Sequence, residues 1–239
     1  VNCLSVNESG AITSYTAEED DVVVWQVANG ETGNLQPSPP TTGLVFTDCT
    51  ASGVDALPNF DYQTALFDSS SWQGPAGVGI LVIKEPDKWR NPLPHNDLTR
   101  VPGSYSIPLV IASSIALTAY LAQEDIRANL KKYIIEFISS QISEVDIASN
   151  LDGLSKFVSF SVGKVEADRL LLELEAAGFA VDSGSACKSA DMQPSHVLAA
   201  MNRPITGNIR LTLHKDITEQ MVKDFCQALK IATEKLRKN

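Results

Sequence analysis

The chain has 239 residues, 44% of them hydrophobic, enough to bury a substantial core as one large domain or two small ones. A net charge of -10 argues against a protein that tracks nucleic-acid phosphates or rests on anionic membranes, and favours small molecules or protein partners. Cys3, Cys49, Cys187 and Cys226 lie far apart, with no C-x-x-C and no His at ligand spacing, so neither a metal site nor a disulfide framework is expected and a reducing cytoplasm is the expected compartment.

The N-terminal VNCLSVNESG lacks the basic-then-apolar pattern of a secretory signal, and its opening Val rather than Met reads as a processed end or a piece of something longer. Short apolar runs follow: VVVWQV (22–27), GLVFT (43–47), TALF (64–67) and VGILVI (78–83). Runs this apolar suit strands covered on both faces, as in the parallel sheets of α/β proteins. Parallel neighbours usually need a helical crossover, yet QPSPP (36–40) forbids a helix between the first two runs, so that crossover is expected to be extended.

The Pro-rich stretch 85–103 reads as a domain boundary, dividing the chain into 1–98 and 99–239. The apolar run 105–122 carries Pro108 with several Ser and Thr residues and reads as a buried helix rather than a membrane span. A continued or restarted helix places Ile126, Leu130, Tyr133, Ile134 and Phe137 at helical spacing. KFVSFSV (156–162) alternates like a half-buried strand, VEADRLLLELEAAGF (165–179) predicts an amphipathic helix ended by Gly178, NIRLTLH (208–214) another strand, and the segment from Ile217 onward a terminal helix with a basic end suited to its dipole. The second half therefore predicts a small α+β domain.

Between those elements, DSGSACKSADMQPSHVLAAM (182–201) places a thiol in a loop of residues with little side chain to bury, and GNIRLTLH follows it. Taken alone, a lone Cys is more often an inert filler and an Arg in a strand more often a surface or ion-pair residue. Together with the upstream motifs VWQVANGETGNLQP, FTDCTASG and FDSSSWQGPAGVGIL, in the same order, these stretches resemble the cysteine desulfurases of the class V aminotransferase family. The resemblance implies an α/β fold: part of a type I pyridoxal-phosphate large domain with a mostly parallel sheet over 1–98, then a C-terminal α+β small domain over 99–239. It also implies a homodimer, a sulfur-accepting protein partner, pyridoxal phosphate as the family's cofactor, and no nucleic acid or membrane.

Residue by residue, the resemblance makes Cys187 the persulfide-type thiol, with Lys188 able to lower its pKa, and makes Arg210 the fork for a substrate carboxylate. It makes Asp48 the retained partner of a pyridine nitrogen and gives Asn29 a weaker cofactor contact.

Other positions depart from the family. Ser71 stands where the Schiff-base lysine belongs, and a hydroxyl cannot do an amine's work. Ser70 stands for a histidine, Ala51 for a glutamine and Gly30 for an asparagine at the cofactor's phenolic oxygen. Asp68 replaces a serine that touches the cofactor phosphate, where two unit charges at roughly 4 Å repel by about 4 kcal/mol at an effective dielectric near 20.

Lys84 and Lys88 fall beyond the next strand, too far on to substitute for the lysine, and only 21 residues precede Val22 where a family member carries its phosphate-cradling loop. His95, His196 and His214 read as structural or surface residues, and Trp72 as a packing group. The expected protein is a truncated desulfurase-like relic without pyridoxal-phosphate catalysis that accepts sulfur or binds a partner. The alternatives are an active desulfurase or lyase completed by another chain, and a small-molecule binding module.

Overall fold

The computed structural model describes residues 3–13, 15, 18, 21–39, 43–91, 105–183 and 195–238. Its contacts form two compact units, one of residues 16–27 and 38–123, the other of residues 1–15, 28–37 and 124–239. The expected division at 98/99 falls among residues outside those described; by contacts, the helix 107–122 belongs with the first sheet and residues 28–37 belong with the C-terminal portion.

In the first unit, β1 (Val22–Gln26), β2 (Leu44–Asp48), β3 (Thr64–Asp68) and β4 (Gly79–Ile83) form a sheet in chain order. β1–β2 and β2–β3 pair in parallel, and the described residues between β1 and β2 contain no helix, as QPSPP requires. β4 runs antiparallel to β3, so the sheet is mostly parallel, as expected. The link 69–78 is occupied by a 3-10 turn, Ser69–Trp72, and is too short to carry the chain back across the sheet.

The described residues do not, however, cover the sheet on both faces. β1 buries Val23 and Trp25 on one side and leaves Val22 and Val24 about two-thirds exposed on the other.

Helix α1 (Ile107–Ala122) starts with Pro108 in its first turn, where a missing N–H costs nothing. It packs through its polar residues: Ser113 meets Ser69 at 2.8 Å and accepts on its carbonyl from the Trp72 indole at 3.3 Å, while Tyr120 donates to the Asp55 carboxylate. Its apolar residues Ile107, Val110, Ile111, Ile115 and Leu121 stay exposed among the described residues, which corrects the expectation of a buried helix. No single helix among the described residues is long and apolar enough to cross a membrane.

In the second unit, β5 (Val145–Ile147), β6 (Phe157–Val162) and β7 (Asn208–Thr212) make an antiparallel sheet with β6 central. Helices α2 (Arg127–Gln141), α3 (Ala167–Ala176) and α5 (Glu219–Arg237) cover it, with the short α4 (His196–Ala200) before β7. Leu130 and Ile134 of α2, Leu170 and Leu174 of α3 and Phe225 and Leu229 of α5 meet Val158 and Phe160 in one core; each such burial contributes about 2 kcal/mol.

β6 alternates as its sequence suggests, yet both faces are covered. Ser159 and Ser161 lie on the face away from the helices, and there Ser159 receives the Asn208 side chain while its N–H donates to Ser149. The turn 29–36 is built into the same layer: the Asn34 amide donates to the carbonyls of Ser9 and Ala148, and its oxygen accepts from the Asn150 N–H.

Helix α3 ends as Gly178 predicts. Gly178 adopts φ +90°, its N–H reaches the Glu175 carbonyl and that of Phe179 the Leu174 carbonyl, and Phe179 then meets Phe225 edge-on at 5.6 Å.

Candidate functional site

Two groups of residues named from the sequence are described, one in each unit. In the first unit, β2 and β3 run parallel and deliver Asp48 and Asp68 at their carboxyl ends, the end of an α/β sheet where ligands bind. Asp48 is half-buried; its Oδ1 accepts from the Thr50 N–H at 2.9 Å and the Thr50 hydroxyl at 2.6 Å, and its Oδ2 faces the Gln26 amide at 3.4 Å. Asp68 caps the 3-10 turn by accepting from the Ser70 N–H at 2.8 Å.

Ser70 is exposed, and Ser71 donates its hydroxyl to the Asp68 carbonyl at 2.7 Å. Gly53 packs against Ser71 so closely, at φ +55°, that a Cβ there would collide with its Oγ. Ala51, half-buried after Asp48, brings no hydrogen-bonding side chain.

This donor set does not fit a covalently held pyridoxal phosphate. Position 71 offers a hydroxyl committed to the backbone instead of an amine, and Asp68 puts a carboxylate where the resemblance implies a phosphate. Lys84 and Lys88 pair with Asp61 and Glu85. Ile83 lies opposite Thr64 whereas Gly79 lies opposite Asp68, so Lys84 follows the other end of the strand, five residues or about 17 Å from the Asp68 end.

In the second unit the arrangement centres on Arg210 in β7. Its Nη1 donates to the Gly30 carbonyl at 3.2 Å, its Nη2 pairs with Asp182, and its buried Nε has no partner among the described residues. The backbones of Asp182 and Arg210 also bridge, through N–H···O contacts of 2.7 and 3.2 Å.

Asn29 spends its side-chain oxygen on its own turn, accepting from the N–H groups of Glu31 and Thr32 at 2.9 and 3.0 Å. Glu31 in turn accepts from the Ser195 hydroxyl at 2.6 Å, while that hydroxyl accepts from the Leu198 N–H and so caps α4. Asp182 and Ser195, on either side of the cysteine segment, thus both attach to the neighbourhood of Gly30 and Glu31.

Cys187 and Lys188 themselves lie outside the described residues, as does His95. Of the described thiols, Cys49 and Cys226 are buried and Cys3 is exposed. Burial pushes Cys49 up to about 11, against the Ser52 hydrogen bond that lowers it, and pushes Cys226 up to about 12. Neither is a ready nucleophile. His196 and His214 are exposed, Trp72 is buried, and no metal-binding cluster occurs among the described residues.

Asp182, Glu31 and Ser195 escaped the sequence reading. Each stood inside a quoted motif: Glu31 in ANGE, Asp182 as the acid opening DSGSAC, and Ser195 in the dipeptide before HVL. The acid at the start of the thiol loop was the readable signal.

No family model matches the chain. It is 30% identical to the cysteine desulfurase IscS of Dictyoglomus turgidum, over 82% of this chain and 50% of that protein. It is 28% identical to cysteine desulfurase 2 of Trichormus variabilis, over 99% of this chain and 66% of that one. Among solved structures, a NifS-like protein superposes with a TM-score of 0.79 at 21% identity, covering 96% of this chain and 67% of its own. The NifS-like protein of Rickettsia africae gives 0.77 at 16% identity, covering 97% and 69%. The chain thus spans half to two thirds of the length of these curated relatives.

Proposed function

The chain is a NifS/IscS-like class V aminotransferase by sequence and fold, and on that premise we propose that it handles sulfur on Cys187 without covalent pyridoxal-phosphate catalysis. In this reading Cys187 accepts sulfur from a donor persulfide. The thiolate attacks the outer sulfur, a new S–S bond forms, the donor's S–S bond breaks and the donor leaves as a thiolate, with no net redox change. Arg210 is the seat for a carboxylate, Asp48 and Asn29 are remnants of a cofactor site, and the protein is a cytoplasmic homodimer that meets a sulfur-transfer protein.

One observation carries this reading: the Ser71 hydroxyl is bound to the Asp68 carbonyl where capture of the cofactor aldehyde requires an amine. The attachment of Asp182 and Ser195 beside Gly30 and Glu31 supports a retained role for the segment between them.

A second reading, an active desulfurase or lyase completed by another chain, is favoured by the uncovered apolar residues of β1 and α1, which another polypeptide would bury. Ser71 weighs against it, because a second chain would have to duplicate a position this chain already fills.

The test is to incubate the protein with a small-molecule persulfide and map the added sulfur by peptide mass spectrometry. The reading expects one added sulfur on Cys187, lost in Cys187→Ala; sulfur distributed over Cys3, Cys49 and Cys226 instead, or none, overturns it.

A further inference from the structure

Arg210 already holds a carboxylate of its own chain. Asp182 reaches Nη2 by one oxygen, and its other oxygen accepts from the Ser183 N–H at 2.8 Å. Nη1 is engaged by the Gly30 carbonyl. A ligand carboxylate approaching this guanidinium therefore meets a cation whose charge is compensated, and it must compete with an acid that needs no association from solution.

The pair is not required to hold the strands together, because the Asp182 and Arg210 backbones bridge independently of their side chains. Nor is it a saturated ion pair. Asp182 engages one prong, the buried Nε is unmatched among the described residues, and the Arg210 and Asp182 side chains remain 24% and 34% exposed. Held by one prong and partly solvated, the pair sets a modest barrier, on the order of tenfold in affinity, against a carboxylate that would fork the guanidinium.

We propose that Asp182 is a specificity residue: an internal carboxylate occupies the Arg210 seat and excludes free α-amino acids such as L-cysteine from it. This rests on the reading of Arg210 as a carboxylate seat. Its consequence is that a motif position held by a neutral residue would leave Arg210 open, whereas Asp182 closes it to small anions.

The experiment uses Asp182→Asn, which keeps shape and backbone contacts, with Asp182→Ser as a second variant, each confirmed folded by circular dichroism. Two quantities are measured: L-cysteine binding by calorimetry, and the rate at which phenylglyoxal modifies Arg210, read on its peptide. The expected result is that both variants bind L-cysteine at least about tenfold more tightly than wild type, the factor set by about 1.4 kcal/mol of relieved competition, with Arg210 modified correspondingly faster.

Wild-type modification rates in both variants would overturn the proposal. Faster modification without L-cysteine binding would uphold Asp182 as the group that restrains Arg210 and would overturn the carboxylate-seat reading beneath it.

Discussion

Lys131 lies on α2 with 1% of its surface exposed, and its ammonium donates to the Leu154 carbonyl at 3.0 Å. Burial lowers its pKa from 10.5 to about 8, with Asp152 opposing the shift. Below pH 8 the folded protein carries a buried charge that the unfolded chain keeps in water, a penalty of about 3 kcal/mol. From pH 8 to 10.5 the unfolded state binds more protons than the folded one, so this residue's contribution to stability rises with pH through that window.

Cys49 and Cys226, raised to about 11 and 12, act in the opposite direction above pH 9, where the unfolded thiols ionise first. Comparison with Lys131→Met cancels the thiols. Leu154 keeps a donor in that variant, the Phe157 N–H at 3.3 Å. The variant should be more stable by about 1–3 kcal/mol at pH 7 in urea unfolding, and that gap should close by pH 10.5. A gap that is constant with pH contradicts the assignment.

At the level of elements, the chain enters β7 through Gly207 under tight packing. The residue adopts φ +66°, donates nothing from a side chain, and passes so close to β6 that a Cβ would collide with the Val162 carbonyl and lie 2.8 Å from that of Val165. The Val162 N–H uses the Gly207 carbonyl at 2.9 Å. Gly207→Ala should therefore cost about 2–4 kcal/mol, seen as a lower urea midpoint with an unchanged slope. A loss under about 0.5 kcal/mol would contradict the close packing.

Such elements were legible to differing depths. The spacing Ile126–Leu130–Ile134 marked α2, and Leu130 and Ile134 do enter the core; Ile138 joins them while Phe137 stays only partly buried, because the apolar stripe is wider than the pattern that marked it. Gly178 marked the end of α3 because a left-handed residue there leaves few alternatives.

Strand direction in β4 and the exposure of α1 were not legible. An apolar run records a preference for burial but not which layer meets it, and pairing direction depends on the length and path of the link. The Asp182–Arg210 pair was hidden for a related reason: the partners stand 28 positions apart and meet only through the sheet edge. The departures at Ser71 and Asp68 were readable by resemblance alone, and their hydrogen bonds explain why those side chains suit a capped turn.

Across the whole molecule, an acidic chain of net charge -10 keeps two units whose faces differ in kind. The C-terminal unit closes its own core between a three-stranded sheet and three helices. The sheet unit leaves Val22, Val24 and Leu44 of its strands and Ile107, Ile111 and Ile115 of α1 in contact with solvent.

Position 71 decides whether the chain can capture the cofactor, and its test requires no partner. The purified protein is mixed with pyridoxal phosphate and L-cysteine, treated with borohydride, and assayed for a lysine-linked cofactor and for released sulfide, with Ser71→Lys beside it. The expected result is no covalent adduct and no sulfide from the wild type, and no turnover from Ser71→Lys because Asp68 remains. A yellow wild-type protein that carries the cofactor on a lysine and releases sulfide would contradict it.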